Sequence, residues 1–157
     1  MNNNDILRRT RYTFNLSDDQ MIQVFALADH ETTRAEISDW LKKDDHPEQQ
    51  QLYDKELAIF LNGFINLKRG KKDGEQPKPE KSLNNNLVLR KLRIALNLKD
   101  EDMLEILDLA NFRFGKAELS ALFRKPDHKH FRKCKDQVLR NFIYGMQLKY
   151  RPGPDEE

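Results

Sequence analysis

Basic and hydroxyl side chains recur at helical spacing in the second half of the chain. Lys116, Ser120 and Arg124 lie at intervals of four, so they share one side of a helix. Lys and Arg neutralise the phosphates of a nucleic-acid backbone, and Ser donates hydrogen bonds to phosphate oxygens. The pattern predicts a nucleic-acid-binding surface, here called the basic set, made of Arg113, Lys116, Ser120, Arg124, Lys125, Lys129 and Arg132.

The same residues fit a helix-turn-helix hairpin. In this interpretation the second helix of the hairpin faces a DNA groove through Arg34, Ser38 and Lys42 in the first half, and through Lys116, Ser120 and Arg124 in the second. The first half also places Glu31, Glu36 and Asp39 there, which repel phosphate, so the second half is the better candidate. An ordinary helical hairpin in a bundle is the alternative.

A second polar pattern occurs twice. Arg8, Arg11 and Asn15 have the spacing of one helical stripe, and Arg90, Arg93 and Asn97 repeat it. One interpretation is an anion or phosphate cradle used twice. The other, favoured by the planar bidentate geometry of arginine, is an ion-pair network. Its acids would be those that also recur, namely Asp18 and Asp100, Glu36 and Glu118, Asp45 and Asp127, and Asp54 and Asp136.

Residues that bind metals cluster near Asp127, His128, His130 and Cys134. A zinc site requires three or four well-spaced ligands, and this cluster is loose. Capping of the fourth helix by Asp45 and Asp127 accounts more simply for the acid that both halves share. We also find no Gly-rich phosphate loop, paired carboxylate motif or nucleophile elbow. We therefore predict no metal, no cofactor, no catalytic residue and no enzymatic activity.

The elements that position these residues come from a duplication. Residues 2–69 align with residues 84–151 at a constant offset of 82, and Asn2–Asn4, Met21 and Gly63 all recur. A period this long indicates that a whole folding unit was duplicated. We predict a first repeat at 1–68, a Gly- and Pro-containing linker at 69–83, a second repeat at 84–151 and a disordered tail at 152–157.

Each repeat is predicted to contain four helices and no strand. In the first repeat they run from Asn3 or Asn4 to Asn15, directly after Leu16, from near Thr33, and from about Gln49 to Lys68. Ser17 with Gln20, and Thr33 with Glu36, are capping-box pairs, and Gly115 with Glu118 replaces the second pair in the other repeat. Lys125, Lys129, Arg132, Lys133, Lys135 and Arg140 are then expected on the outer side of the last helix.

Gly63 and Gly145 lie in the middle of an apolar helical stripe, where glycine costs about 1 kcal/mol relative to alanine. The missing side chain would let another helix approach closely. We consider the fourth helix of the other repeat, across a pseudo-twofold axis, as that neighbour. Alternatively, each glycine ends its helix early. The predicted fold is an all-α tandem duplication of a roughly four-helix unit about such an axis, with helix-turn-helix-like hairpins.

Composition limits the location and the partners of the chain. Its 157 residues are 38% apolar and 34% charged, and no apolar run approaches the ~20 residues that a membrane span requires. The single cysteine indicates a reducing compartment, so we expect a cytoplasmic protein. Residues 1–70 carry 9 Lys and Arg against 12 Asp and Glu, whereas residues 84–151 carry 15 against 8. The second repeat is therefore strongly basic, and the first is slightly acidic.

Four segments carry a resemblance to a known family. They are residues 3–12 (NNDILRRTRY), 16–22 (LSDDQMI), 33–43 (TRAEISDWLKK) and 60–65 (FLNGFI). The last segment lies shortly before Lys68-Arg69-Gly70. Together they resemble the YehS-like family of bacterial proteins over nearly the whole chain. The resemblance implies a cytoplasmic bacterial protein with a duplicated helical layout. It implies no catalytic or binding residue, because the function of that family is not established.

These observations favour a binding module. The first hypothesis is DNA or RNA binding, or a regulatory role, through the basic second repeat. The second hypothesis is a protein-interaction adaptor that uses the groove between the repeats, and an acidic protein partner would also suit the basic repeat. The sequence leaves the ligand, any base preference and the oligomeric state open.

Overall fold

The computed structural model describes residues 1–151 and Gly153, so the expected tail at 152–157 lies, except for Gly153, outside the described residues. Within this range the chain forms helices and no strand, which confirms the all-α prediction. No helix among these residues is long and apolar enough to cross a bilayer. The helices are α1 (Asn3–Thr13), α2 (Asp18–Leu27), α3 (Arg34–Leu41), α4 (Asp54–Arg69), α5 (Asn85–Leu96), α6 (Asp100–Leu109), α7 (Lys116–Leu122) and α8 (Asp136–Tyr150).

The chain divides into two compact units, Met1–Leu83 with α1–α4 and Asn84–Glu157 with α5–α8. The segment expected as a linker, residues 69–83, contacts the first unit. Lys71 Nζ lies 2.5 Å from Asp29 Oδ1, and the Leu83 N–H donates to Asp54 Oδ2 at 2.9 Å. These contacts hold both ends of the segment against the first unit.

The predicted starts of the first three helices are confirmed at their caps. The side chain of Asn2 accepts a hydrogen bond from the Asp5 N–H, and the Asp5 carboxylate accepts one from the Asn2 N–H. Ser17 with Gln20 and Thr33 with Glu36 form the two expected reciprocal pairs, which satisfy backbone N–H groups that the helix leaves free. Local sequence thus defines where α1, α2 and α3 begin.

The first helix of each unit ends earlier than expected. α1 stops at Thr13, and Asn15 adopts a left-handed conformation with φ 51°. Asn97 does the same after α5, with φ 55°. Asparagine tolerates this conformation better than most residues, so it suits a helix end. The recurrence of Asn15 and Asn97 therefore has a backbone explanation.

The fourth helix begins later than predicted, and its expected caps were wrong. α4 starts at Asp54 rather than near Gln49, and Asp45 lies in an exposed turn instead of capping it. Tyr53 holds the cap position, where its N–H donates to the Glu56 carboxylate at 3.0 Å. The segment before α4 does not join the helix, because the Gln50 N–H donates a hydrogen bond to Asp39 O of α3 at 3.1 Å. α8 likewise starts at Asp136, with Asp127 in the equivalent turn.

The core of each unit forms where its second helix packs on its fourth. In the first unit, Val24 and Phe25 of α2 face Phe60 and Phe64 of α4, and all four side chains are fully buried. The Phe25 ring lies 5.5 Å from that of Phe60 and 5.4 Å from that of Trp40, measured between centroids. Aromatic packing of this kind supplies much of the apolar burial that holds a small unit together.

Gly63 and Gly145 do permit a close helix approach, but within their own unit. A Cβ at Gly63 would lie 1.9 Å from Val24 O of α2, and a Cβ at Gly145 would lie 1.9 Å from Ile106 O of α6. The expected neighbour, the fourth helix of the other repeat, was therefore wrong. The alternative of an early helix end was wrong too, because α4 and α8 continue past both glycines.

Candidate nucleic-acid interface

Helix α7 presents part of the basic set to solvent. It begins after Gly115, whose N–H donates to the Glu118 carboxylate at 2.8 Å. Leu119 and Leu122 are buried, and Lys116 on the other side of the helix is exposed. The apolar side of α7 thus fixes which of its residues can meet a ligand.

A buried asparagine holds the chain after α7. Asn86 of α5 donates through Nδ2 to Leu122 O and to Arg132 O, at 3.0 Å each, and its Oδ1 accepts from the Cys134 N–H at 2.9 Å. The Arg132 N–H also donates to Ala121 O at 3.0 Å. We call this arrangement the asparagine clamp. It fixes the backbone of residues 132–134 beside the end of α7.

The first unit has the same clamp. Asn4 of α1 donates to Trp40 O at 2.9 Å and to Gln50 O at 2.8 Å, and its Oδ1 accepts from the Leu52 N–H at 3.0 Å. Only 3% of Asn4 is exposed. A buried amide that satisfies three backbone groups stabilises the loop strongly, since each group would otherwise lack a partner. The clamp therefore positions matching segments in both units.

The clamped segment of the second unit forms one wall of a cavity of about 440 Å³. Phe112 and Phe114, which precede α7, provide apolar surface, together with the buried side chains of Leu122 and Val138. The two phenylalanine rings lie 5.8 Å apart between centroids and are half-buried. We call this cavity the aromatic cleft.

Cations surround the aromatic cleft. Its polar lining consists of Arg113, Arg132, Lys133, Lys135, Glu118 and Gln137, all of them exposed. The Glu118 carboxylate already accepts the hydrogen bond from Gly115 that caps α7. The cleft thus combines flat apolar surface with a mostly positive rim.

A second cavity of about 510 Å³ shares Glu118 and Arg132 with the aromatic cleft. Ser120, Arg124 and His130 are among its other lining residues. Burial lowers the pKa of the nearby His128, and the positive charge of Arg124 lowers it further. Both effects favour the neutral form of His128, and Arg124 and Arg132 supply positive charge at this cavity.

The structure brings four members of the basic set together at these two cavities. Arg113 and Arg132 line the aromatic cleft, and Ser120 and Arg124 join Arg132 at the second cavity. The other members line neither cavity. They are exposed and lie close in sequence to residues that do, and they are Lys116, Lys125 and Lys129. Contrary to expectation, the cations between 125 and 135 lie on the loop before α8, because that helix starts at Asp136.

The cations of the basic set are free of ion pairs in the part of the chain that the structure describes. Their contacts are weaker: the Arg132 guanidinium donates to Phe131 O at 2.9 Å, and Arg124 lies 3.4 Å from His128 Nε2. The first unit differs. Its Arg34 pairs with Asp19 at 2.7 Å, and a hydrogen bond to Asp39 raises the pKa of Lys42.

The hairpins α2–α3 and α6–α7 have longer connections than a helix-turn-helix. Residues 28–33 and 110–115 join the helices, whereas that motif uses a turn of about three to four residues. Asp29 and Asn111 turn the chain with φ 59° and 57°. Two residues expected on the recognition helices lie beyond them: Lys42 follows the end of α3 at Leu41, and Arg124 follows the end of α7 at Leu122. These features suit an ordinary helical hairpin.

The arginines of the repeated stripe contact residues of their own unit. Arg8 pairs with Asp5 and donates to Lys42 O at 3.0 Å, and Arg90 donates to Phe123 O at 3.1 Å. Arg93 donates to Leu98 O and pairs with Asp100 at 2.7 Å. Arg11 lines a small cavity with Arg8, and its buried Nε has no hydrogen-bond partner. Asn15 and Asn97 lie beyond their helices, so they extend no helical stripe.

Cys134 has the properties of a structural thiol. Its side chain is buried, and burial together with the charge of Asp136 raises its pKa to about 11. A reactive cysteine requires a lowered pKa and access to solvent. Across the described residues, no group of three or more His, Cys, Asp or Glu is arranged to hold a metal ion.

Sequence reasoning missed Phe112 and Phe114. Their periodicity does not mark them, since they precede a helix rather than belong to one. The signal that could have found them is the comparison of the repeats, because the corresponding residues of the first unit are His30 and Thr32. The first unit therefore lacks this aromatic pair.

Comparison with known proteins accounts for the repeated architecture. The family described as "Protein of unknown function (DUF1456)" matches twice, at residues 3–70 and 85–152, which confirms the tandem duplication. The chain is similar to "Uncharacterized protein YehS" of Escherichia coli (strain K12), with 44% identity over 147 residues that cover 93% of this chain and 94% of that protein. No solved structure matches it. With two matches spanning nearly all of its length, the chain belongs to the DUF1456 family.

Proposed function

We propose that the chain is a non-enzymatic, cytoplasmic nucleic-acid-binding module whose second unit supplies the contact surface. The observation that carries this proposal is the set of unpaired cations around α7 and the loop before α8. Arg113 and Arg124 are exposed there with no carboxylate partner among the described residues. Exposed cations of this kind attract phosphate and release its counterions on binding.

The first unit provides an internal comparison. Several positions that are cationic in the second unit are acidic or neutral in the first, where Glu31 corresponds to Arg113 and Gln50 to Arg132. Of the cations that the first unit keeps at these positions, Arg34 pairs with Asp19 and Lys42 pairs with Asp39. One framework thus carries opposite surface charge in its two copies. A difference confined to the surface supports a ligand specific to the second unit.

The buried thiol supports the non-enzymatic part of the proposal. With its pKa raised to about 11, Cys134 is protonated at neutral pH and is a poor nucleophile. The presence of a single cysteine, reduced and buried, also suits the cytoplasm.

Binding is tested by fluorescence anisotropy with labelled DNA and RNA between 50 and 200 mM salt. The variant Lys116→Glu, Arg124→Glu, Lys125→Glu should bind much more weakly. Between 50 and 200 mM salt, the affinity of the wild type for duplex DNA falls by some factor. If each of the three residues contacts one phosphate, that factor should be roughly 40 times smaller in the variant.

The duplication supplies the matched control. Arg34→Glu, Lys42→Glu, Lys43→Glu makes the same charge change at the corresponding positions of the first unit and should leave binding nearly unchanged. Circular dichroism confirms that both variants are folded. Equal losses in the two variants would contradict a surface confined to the second unit. Indifference of the wild type to nucleic acid, with a protein recovered by pull-down, would favour the adaptor role instead.

A further inference from the structure

We infer that the aromatic cleft holds an unstacked base of single-stranded nucleic acid while the surrounding cations bind the adjoining phosphates. This inference rests on the proposed function and specifies its ligand. A cleft of about 440 Å³ lies within the range of about 300–1,000 Å³ typical of small-molecule sites, so it can admit one nucleobase. A base that is paired and stacked inside a duplex cannot enter it.

The aromatic rings supply the surface on which a base can stack. Phe112 and Phe114 are half-buried, so each ring is supported on one side and partly accessible on another. Their planes are inclined by 30°, with centroids 5.8 Å apart. Proteins that bind single strands combine such rings with a positive groove, because every base has a face that can stack.

The backbone presents these rings in a fixed place. The Phe112 N–H donates to Leu107 O of α6 at 3.0 Å, and Asn111 turns the chain with φ 57°. On the opposite wall the asparagine clamp holds the backbone at Arg132. Both walls are thus anchored by hydrogen bonds, which limits the ordering that binding must impose.

The charges around the cleft fit phosphates on either side of a bound base. Arg113 lies between the two phenylalanines in the sequence, and Arg132, Lys133 and Lys135 line the same cleft. The one acidic residue in the lining, Glu118, is engaged at the start of α7. Gln137 adds an amide that can both donate to and accept from a base edge.

The first unit shares the clamp but lacks the phenylalanine rings and the cations of this arrangement. His30 replaces Phe112, and its ring packs 6.0 Å from that of Phe25, measured between centroids. Thr32 replaces Phe114, and Gln51 and Tyr53 replace Lys133 and Lys135. Aromatic surface and positive charge therefore differ together between the two units. A purely structural role for the rings would not require the cations to change with them.

The decisive variant is Phe112→Leu, Phe114→Leu, which keeps apolar volume but removes the stacking surface. Its affinity for a labelled ten-nucleotide dT or rU strand should fall roughly 5- to 150-fold, the range for loss of one stacked base. Affinity for a DNA duplex of equal length should change less than twofold. The control Phe131→Leu makes the same change at a half-buried phenylalanine outside the cleft and should have no effect.

A second variant keeps the test informative if the double variant does not fold. Phe112→Trp retains a stacking surface, and the single strand should quench the fluorescence of the new tryptophan. The wild type, whose fluorescence comes from Trp40, provides the reference signal. Comparison of the dT and rU strands shows whether DNA or RNA binds more tightly, since only RNA offers a 2′-hydroxyl.

The outcomes separate this inference from the proposed function. Unchanged single-strand affinity in Phe112→Leu, Phe114→Leu, or no quenching of Phe112→Trp, would overturn the base-binding cleft. Preference of the wild type for duplex would do the same. Loss of binding in the Lys116, Arg124, Lys125 variant would leave the proposed function standing in either case. A wild type that binds no nucleic acid would overturn both.

Discussion

Gly63→Ala is expected to destabilise the first unit, although alanine is the better helix former. In an isolated helix this change would stabilise by about 1 kcal/mol. Here the new Cβ would lie 1.9 Å from Val24 O, whereas an ordinary contact is at least 3.4 Å, so α2 and α4 would have to separate by about 1.5 Å. That movement would disturb the fully buried packing of Phe25 on Phe60.

The magnitude follows from the balance of these two effects. Overpacking in a core costs typically 1–3 kcal/mol, and the upper end, about 3 kcal/mol, applies because the obstacle is backbone rather than a flexible side chain. Subtracting the gain in helix propensity leaves a net loss of about 2 kcal/mol. With urea slopes of about 1–3 kcal/mol per molar, the unfolding midpoint should fall by roughly 1 M.

Trp40 provides the assay. It is the one tryptophan of the chain, it is 4% exposed, and it lies in the first unit, so its fluorescence reports that unit during urea unfolding. Gly145→Ala is the matched variant, since its Cβ meets Ile106 O at the same 1.9 Å; far-UV circular dichroism reports its effect. Gly115→Ala should cost less, because its Cβ would meet only the end of the Glu118 side chain, at 3.1 Å, rather than backbone. An unchanged or higher Trp40 midpoint in Gly63→Ala would refute this reasoning.

Three further predictions concern a buried asparagine, the buried thiol and a half-buried arginine. Asn4→Asp should destabilise the first unit by about 3 kcal/mol at pH 7, because a carboxylate would face two carbonyl oxygens. Urea unfolding should show that part of this stability returns at pH 4, where the carboxylate is protonated. A loss of stability that does not depend on pH would contradict this cause. Because Cys134 has a pKa of about 11 when folded, above its ordinary 9.0, the folded state holds this proton more tightly. The wild type should therefore lose stability relative to Cys134→Ala as pH rises from 9 to 11, and parallel urea midpoints would argue against a buried thiol. Arg93→Met should lower the unfolding midpoint of the second unit by removing its pair with Asp100, while heparin retention stays unchanged; a stable variant with lost retention would favour the anion cradle.

Local signals in the sequence predicted the framework well. The helix starts at Ser17 and Thr33 were readable because each cap involves residues only three apart. The duplication was readable for a different reason, since two copies of one pattern confirm each other. Both kinds of information are contained in short stretches of chain.

Contacts between distant residues were not predictable in the same way. The start of α4 was misplaced because Asn4 and Asp39 bind the chain before it, and nothing near Gln50 indicates those partners. The cavity lining was missed for the same reason: Phe112 and Arg132 meet only after the loop folds back. The predicted neighbour of Gly63 was also wrong, because a missing side chain indicates that another helix comes close but not which helix it is.

The asparagine clamp has a consequence for how the two copies could diverge. Asn4 and Asn86 form hydrogen bonds with backbone groups of the loop, so these bonds do not depend on which side chains that loop carries. Mutations there can exchange glutamine for arginine without loosening the scaffold. A gene duplication followed by drift in this one strip could thus create a new recognition surface, while the ancestral architecture stays intact in both halves.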